Sequence, residues 1–444
     1  MEKEAGAEGI EQHGNLYGNS RGWEAVAVYV RSLHTLFYKK IWVEGKENIP
    51  DGCPVIFAPN HQNALMDPLA VLFSSGKQVV FLARADIFKQ KILARFFYFL
   101  KILPVFRIRD GKEKLQNNDE TFNIAIKVLE SKQSVGLFPE ARHNNKRSLL
   151  PLKKGLPRVA FMAEEQNDFR LKLKILPVGI NYSNYQKMRS VLRIRFGEAF
   201  SLQDYQEEYL ENPQKAMISL RDEMAKRIKP LIIDIADNEM YDTVDSISRL
   251  AADEEKDFSK KFQIQKSAIA KFESLQAGQP AKAKILKEKT TKFECLKKKY
   301  KLSNKIFGFS KPLCFNVLAN SLWLVLLLPV FLYGLLNNAI AYFAPRLFVP
   351  KIKDRQFHSS VKFGWAVFVI PVIYFIQTVV FAVFFPKILW ILLYALSLPV
   401  FGYLAKIISE WASTTFEKWR VLGNKTVFFE LEKLKAEILE GICH

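Results

Sequence analysis

Three stretches without a charged residue constrain this chain most: Pro312 to Pro345, Phe363 to Pro386 and Ile388 to Ala405, roughly 34, 24 and 18 residues long. An apolar run of about 20 residues is long enough to cross a bilayer as a helix. The flanks are basic at Lys297–Lys311 and Arg346–Lys362, the segment from Lys406 onward starts basic, and Lys387 alone interrupts the last two runs. If positive loops stay in the cytoplasm, each apolar region has to enter the membrane and return. The first region is marginal for two full spans and reads as a kinked or re-entrant hairpin broken near Pro329 and Gly334. The second reads as two spans turning at Pro386-Lys387.

With 444 residues the chain has room for more than one domain, and 49% of it is hydrophobic, with 36 phenylalanines. A net charge of +20 raises the question of nucleic acid. No recognisable nucleic-acid module is present, and the basic residues flank apolar helices, so attraction to anionic lipid is the simpler account. Met1 to Ser20 is polar, acidic and glycine-containing, which reads as a disordered tail rather than a secretory signal. Trp23, Val26, Val30, Leu33, Leu36 and Phe37 recur at helical spacing beside Arg21, Arg31, Lys39 and Lys40, the pattern of an interfacial helix. Ile87 to Leu103 has the same character and reads equally as a core-facing helix or an acyl-chain groove. Asp237 to Lys305 is highly charged and breaks at Gln276–Pro280, giving two helices and a turn, a spacer or docking arm with a solvated face. Phe428, Leu431, Leu434 and Ile438 mark a further helical face near the C-terminus.

Chemistry concentrates at strand ends. Pro54 to Ala58 reads as a short buried strand, followed by Asn60-His61 and then Asp67-Pro68. Pro68 suits the first position of a helix, which puts Asp67 on the N-cap. An imidazole and a carboxylate in one strand-to-helix turn is the pairing a general base needs. Taken singly, Asp67 reads as a capping carboxylate and His61 as a loop histidine. Three further strand-end pieces accompany them: Leu103-Pro104-Val105-Phe106-Arg107-Ile108-Arg109, Phe138-Pro139-Glu140 with Leu149 to Gly155 behind it, and Ile175 to Tyr182. Cys53, Cys295, Cys314 and Cys443 have neither metal-ligand spacing nor an adjacent base, so neither a zinc site nor a cysteine nucleophile is expected.

Four such motifs in this order resemble the glycerophospholipid acyltransferases, over roughly residues 45 to 200. In that family they line one active site. The resemblance implies His61 and Asp67 as the catalytic pair and Arg107 as the phosphate-binding arginine, whose planar fork grips phosphate in a way lysine does not. It further implies that Asn60, Arg109, Pro139, Glu140, Lys153, Lys154 and Gly155 bind substrate. Two departures stand out. Five residues separate His61 from Asp67 where most of the family has four, similar to the branch of fungal-type glycerol-3-phosphate acyltransferases, and Ala141-Arg142 replaces the Gly and small polar residue that usually follow the glutamate.

The expected architecture is α/β: a mixed, largely parallel sheet with flanking helices, then a helical arm and an α-helical membrane domain. Its divisions are a disordered tail (1–22), the acyltransferase domain with its interfacial helix (23–235), the charged arm (236–305), transmembrane helices (306–410) and a C-terminal amphipathic helix (411–444). The resemblance implies transfer of a fatty acyl group from a carrier thioester to 1-acylglycerol-3-phosphate, with glycerol-3-phosphate as the alternative acceptor and an inactive lipid-binding scaffold as an alternative of another class. No bound cofactor is expected. Membrane lipids and acyl-CoA or acyl carrier protein are the expected partners, nucleic acid is not, and the catalytic domain is expected on the cytoplasmic face of an integral membrane protein.

Overall fold

The computed structural model describes residues 21–88, 91–105, 117–144, 146–308 and 313–442, so the proposed tail lies outside it except for Arg21 and Gly22, which open a helix. Two compact units divide the chain. Asp354–Phe363 clusters with the residues up to Asp234, and the rest from Ile235 onward forms the second unit.

The first unit is built on a sheet that has eight strands among the described residues. These are β1 (Lys40–Glu44), β2 (Val55–Pro59), β3 (Val79–Arg84), β4 (Ile102–Val105), β5 (Ser134–Gly136), β6 (Lys174–Tyr182), β7 (Val191–Phe196) and β8 (Phe200–Ser201). They run in the order β1-β7-β6-β2-β5-β3-β4, with β8 beside β6. The pairs β1–β7, β2–β5, β2–β6, β3–β4 and β3–β5 are parallel, and β6–β7 and β6–β8 antiparallel, so the sheet is mixed and largely parallel as the sequence implied.

Every residue of β2 is buried, which explains why its sequence is an unbroken apolar run without alternation. Ile56, Ala58, Val80 and Leu82 point to one face, where they meet Phe122, Ile126 and Leu129 from helix Asn117–Glu130, Leu156, Val159 and Ala163 from helix Gly155–Glu165, and Leu220 and Met224 from helix Pro213–Ile228. These helical positions recur every three or four residues, so each helix lays one stripe on the sheet. Phe57 and Phe196 meet on the opposite face, ring centroids 6.2 Å apart.

The helix Arg21–Phe37 buries His34 and Phe37 and half-buries Trp23, Val26, Val30 and Leu33, while Val28, Tyr29 and Leu36 stay exposed. Leu36 therefore leaves the face assigned to it. In the Ile87–Leu103 region, Tyr98 packs on the core and Leu103 is fully buried in β4, whereas Phe99 is exposed.

In the second unit, helices Tyr241–Ala251, Phe258–Gly278 and Pro280–Lys299 pack with one another and with Lys425–Gly441. The turn between the second and third falls at Gln279. Two helical runs, Arg355–Phe384 and Ile388–Gly423, are long and apolar enough to cross a membrane, separated at the expected Pro386-Lys387. The first of these enters the second unit at Gly364. Phe315–Leu326 and Leu328–Asn337 form a pair bent by 55°, with Pro329 in the first turn after the bend. A second break falls at Asn338, not at Gly334.

Candidate active site

β2 ends at Pro59, and the next residue continues the pairing with its side chain. The Asn60 amide donates to the carbonyl of Ile180 at 3.1 Å and accepts that residue's N–H at 2.7 Å, extending the β2–β6 seam. Asn60 is 1% exposed, so its amide serves the backbone of β6.

The chain then wraps around a carboxylate. Asp67 Oδ2 accepts the backbone N–H groups of Gln62 and Asn63, each at 2.7 Å, and lies 2.8 Å from His61 Nδ1, while Oδ1 accepts the Tyr182 hydroxyl at 2.7 Å. Asp67 is fully buried. The helix begins at Met66 with Leu65 at its N-cap and no side-chain cap bond, which corrects the reading of Asp67 as a cap. The carboxylate reaches backward to the loop instead of forward into the helix. In the neutral tautomer that pairs with this carboxylate, the ring proton is on Nδ1 and Nε2 carries the lone pair. Burial pushes the Tyr182 hydroxyl well above its ordinary range, with the Asp67 charge adding to the effect, so it remains a donor.

Glu140 supports the same loop from the other side. Its Oε1 accepts the N–H of His61 at 2.7 Å and its Oε2 that of Leu150 at 3.0 Å, so the Phe-Pro-Glu segment and the Leu149–Gly155 run are clasped to the histidine. Burial lifts the Glu140 carboxyl to about 8, working against these two N–H donors. The Lys153 N–H donates to the Pro139 carbonyl at 2.8 Å, and the Leu149 N–H to Asp234 Oδ1 at 2.8 Å.

The His61 ring is set between aromatics. It stacks on Phe138 at 3.9 Å and meets His143 edge-on at 4.0 Å, and Phe138 stacks on Phe81 at 6.1 Å. Gly136 makes this possible, since a Cβ there would lie 2.3 Å from the Phe81 ring. His61 keeps 12% of its side-chain surface accessible.

The structure therefore brings Asn60, His61, Asp67, Pro139, Glu140 and the Lys153 backbone together. The Lys153 and Lys154 side chains are exposed, Lys154 Nζ donates to Gln214 Oε1 at 3.1 Å, and Gly155 opens the helix behind them. Arg107 and Arg109 lie outside the described residues. Sequence reasoning gave no role to Tyr182, Asp234, His143 or Tyr185. The Tyr182 hydroxyl is signalled only by its place at the end of the Ile175–Tyr182 motif, and Tyr185, whose hydroxyl donates to Gln62 Oε1 at 2.7 Å, carries no sequence signal.

A His–Asp pair at the carboxyl end of a central strand, with a glutamate clasp beside it, is an arrangement able to take a proton from a hydroxyl. Residues 40–181 match the family model described as Acyltransferase. "Glycerol-3-phosphate O-acyltransferase 2" of Saccharomyces cerevisiae is 31% identical over 134 residues, 30% of this chain and 17% of that protein. "1-acyl-sn-glycerol-3-phosphate acyltransferase" of Borreliella burgdorferi is 26% identical over 204 residues, 44% of this chain and 74% of that protein. The chain thus spans under a fifth of the yeast relative in its match. The crystal structure of the 1-acyl-sn-glycerophosphate acyltransferase PlsC from Thermotoga maritima aligns with a TM-score of 0.33 at 20% identity, covering 46% of this chain and 80% of that one.

Proposed function

We propose that this chain is a glycerolipid acyltransferase that moves a fatty acyl group from a carrier thioester to the free hydroxyl of 1-acylglycerol-3-phosphate. The observation that carries this reading is the 2.8 Å contact between His61 Nδ1 and the buried Asp67 carboxylate, which leaves Nε2 to accept a proton. As the acceptor hydroxyl attacks the thioester carbonyl, its proton passes to His61 Nε2, and Asp67 stabilises the imidazolium. When the tetrahedral intermediate collapses, the carbon–sulfur bond breaks and the departing thiolate takes that proton back. Glu140 holds the His61 backbone so that the ring faces the acceptor. A second reading, glycerol-3-phosphate as acceptor, is favoured by the five-residue spacer and the yeast relative.

Two membrane-length helical runs support a membrane-bound enzyme, and the basic Arg346–Lys362 loop supports a cytoplasmic position for the unit that contains Asp354–Phe363. Acceptor competition on the purified protein is the test. With palmitoyl-CoA as donor, 1-acylglycerol-3-phosphate should be acylated in preference to glycerol-3-phosphate and 1-acylglycerophosphocholine. Preference for glycerol-3-phosphate would establish the second reading, and acylation of none would reject both.

A further inference from the structure

Asp354–Phe363 precedes the apolar stretch Gly364–Phe384 directly and lies well beyond the family match, yet it packs within the catalytic unit. Its contacts converge on the loop that carries the catalytic pair. Ser360 Oγ accepts the Leu65 N–H at 3.0 Å. Ser359 Oγ donates to the Tyr185 carbonyl, which also receives the Asn63 amide at 3.2 Å. Lys362 Nζ donates to the Gln186 carbonyl at 3.0 Å. Phe357 stands edge-on to His143 at 5.3 Å, and His143 is the ring that meets His61. Ser359 is 0% exposed, and the buried Phe363 packs against His34 and Phe37. These are the contacts of a docked segment.

The loop needs such holding. Ala64 has φ 41, in the left-handed region that a residue with a Cβ avoids. Asp67 draws the chain inward through the N–H groups of Gln62 and Asn63, and Ser360 takes the N–H of Leu65 on the far side of Ala64. The strained residue is fixed from both directions.

We propose that Asp354–Phe363 is a strap that positions the catalytic loop: Ser360, with Ser359 beside it, fixes the backbone around Asp67, and Phe357 backs the His143 ring against His61. This rests on the acyl-transfer reading of the site. Ser360 touches no reacting atom and is a positioning residue. Loosening it lowers the fraction of molecules whose Nε2 is aimed at the acceptor, which reduces kcat while leaving acceptor binding largely intact.

The test uses the full chain in nanodiscs, with hydrogen–deuterium exchange over 60–66 and steady-state kinetics on 1-acylglycerol-3-phosphate and palmitoyl-CoA. Ser360→Ala should raise exchange in 60–66 while β2 stays protected, and lower kcat by about 10-fold or more with acceptor KM changed less than about 2-fold. Ser360→Thr, which keeps the hydroxyl, should restore both. If Ser360→Ala does not fold, Phe357→Leu decides: kcat should fall several-fold, and a wild-type value would overturn the proposal. Wild-type exchange and kcat in Ser360→Ala would overturn it too, even while His61→Ala is inactive and the acyl-transfer reading stands. If wild type acylates no acceptor, that reading fails, and the exchange comparison alone then decides the strap.

Discussion

Asp67 spends both oxygens inside the protein, on two backbone N–H groups, one imidazole and one phenol. All four partners donate, and an amide in its place would turn an NH2 toward at least one of them. Asp67→Asn should therefore lose activity and also lower stability by about 1–3 kcal/mol, the cost of a buried donor left without an acceptor, read from thermal unfolding of the detergent-solubilised protein. Wild-type melting in that variant would mean that the loop is held from elsewhere. His61→Ala tests the proposed general base: the rate should fall by roughly two to four decades, with membrane association and melting retained. Glu140 yields a pH signature. Its folded-state pKa of about 8 lies above the ordinary 4.5, so the folded state holds this proton more tightly than the unfolded chain. The associated stability is fully present below about 4.5 and is lost as pH rises through about 8. Glu140→Gln cannot lose a proton, so the difference in melting temperature between wild type and variant should narrow from pH 4.5 to 8 as wild type weakens. Parallel curves would show that Glu140 keeps its charge throughout.

At the scale of elements, the arm shows how charge and packing are divided. Lys289 and Lys292 pair with Glu437 and Glu430 of the C-terminal helix at 2.8 and 2.7 Å, and Lys435 with Glu254 at 2.9 Å. Beneath them Phe293, fully buried, stacks on Phe307, which stacks on Phe428. An exposed pair such as Lys292–Glu430 contributes little, and the aromatic row holds the bundle. Phe293→Ala should destabilise it by about 3–5 kcal/mol, whereas Lys292→Ala should leave melting nearly unchanged. The sequence displayed the arm's helices and their turn but not its partner, because Lys and Glu on a packed rim look the same as Lys and Glu in water. The strand ends were legible for the opposite reason. β2 and the Ile175–Ile180 stretch of β6 are buried throughout and read as unbroken apolar runs, and Asn60, His61 and Asp67 follow β2 within eight positions. The cap assignment went astray by two residues because Pro68 tolerates the third helical position as well as the first, and the helix starts at Met66.

For the whole molecule, the site is assembled over very different distances along the chain. The His61–Asp67 contact spans 6 positions, Tyr182 arrives from 115 away and Ser360 from 295. Periodicity and local motifs carry no information about the last two, which is why the sequence revealed the pair but neither the phenol nor the strap. A chain cut after Asp234 would keep His61, Asp67, Glu140 and Tyr182 and all four strand-end motifs. It would lose Ser359, Ser360 and Phe357, along with the buried Phe363 that packs on His34. If the site were complete within its own domain, that fragment reconstituted in vesicles would acylate acceptors at the full-length rate. The geometry at Ala64 argues otherwise, since the N–H of Leu65, next after the loop's left-handed residue, then loses its Ser360 acceptor. The fragment should show a kcat lower by about one to two decades and raised exchange over 60–66, and co-expression of 235–444 as a separate chain should restore both. Full activity in the fragment would return the entire catalytic apparatus to the first 234 residues.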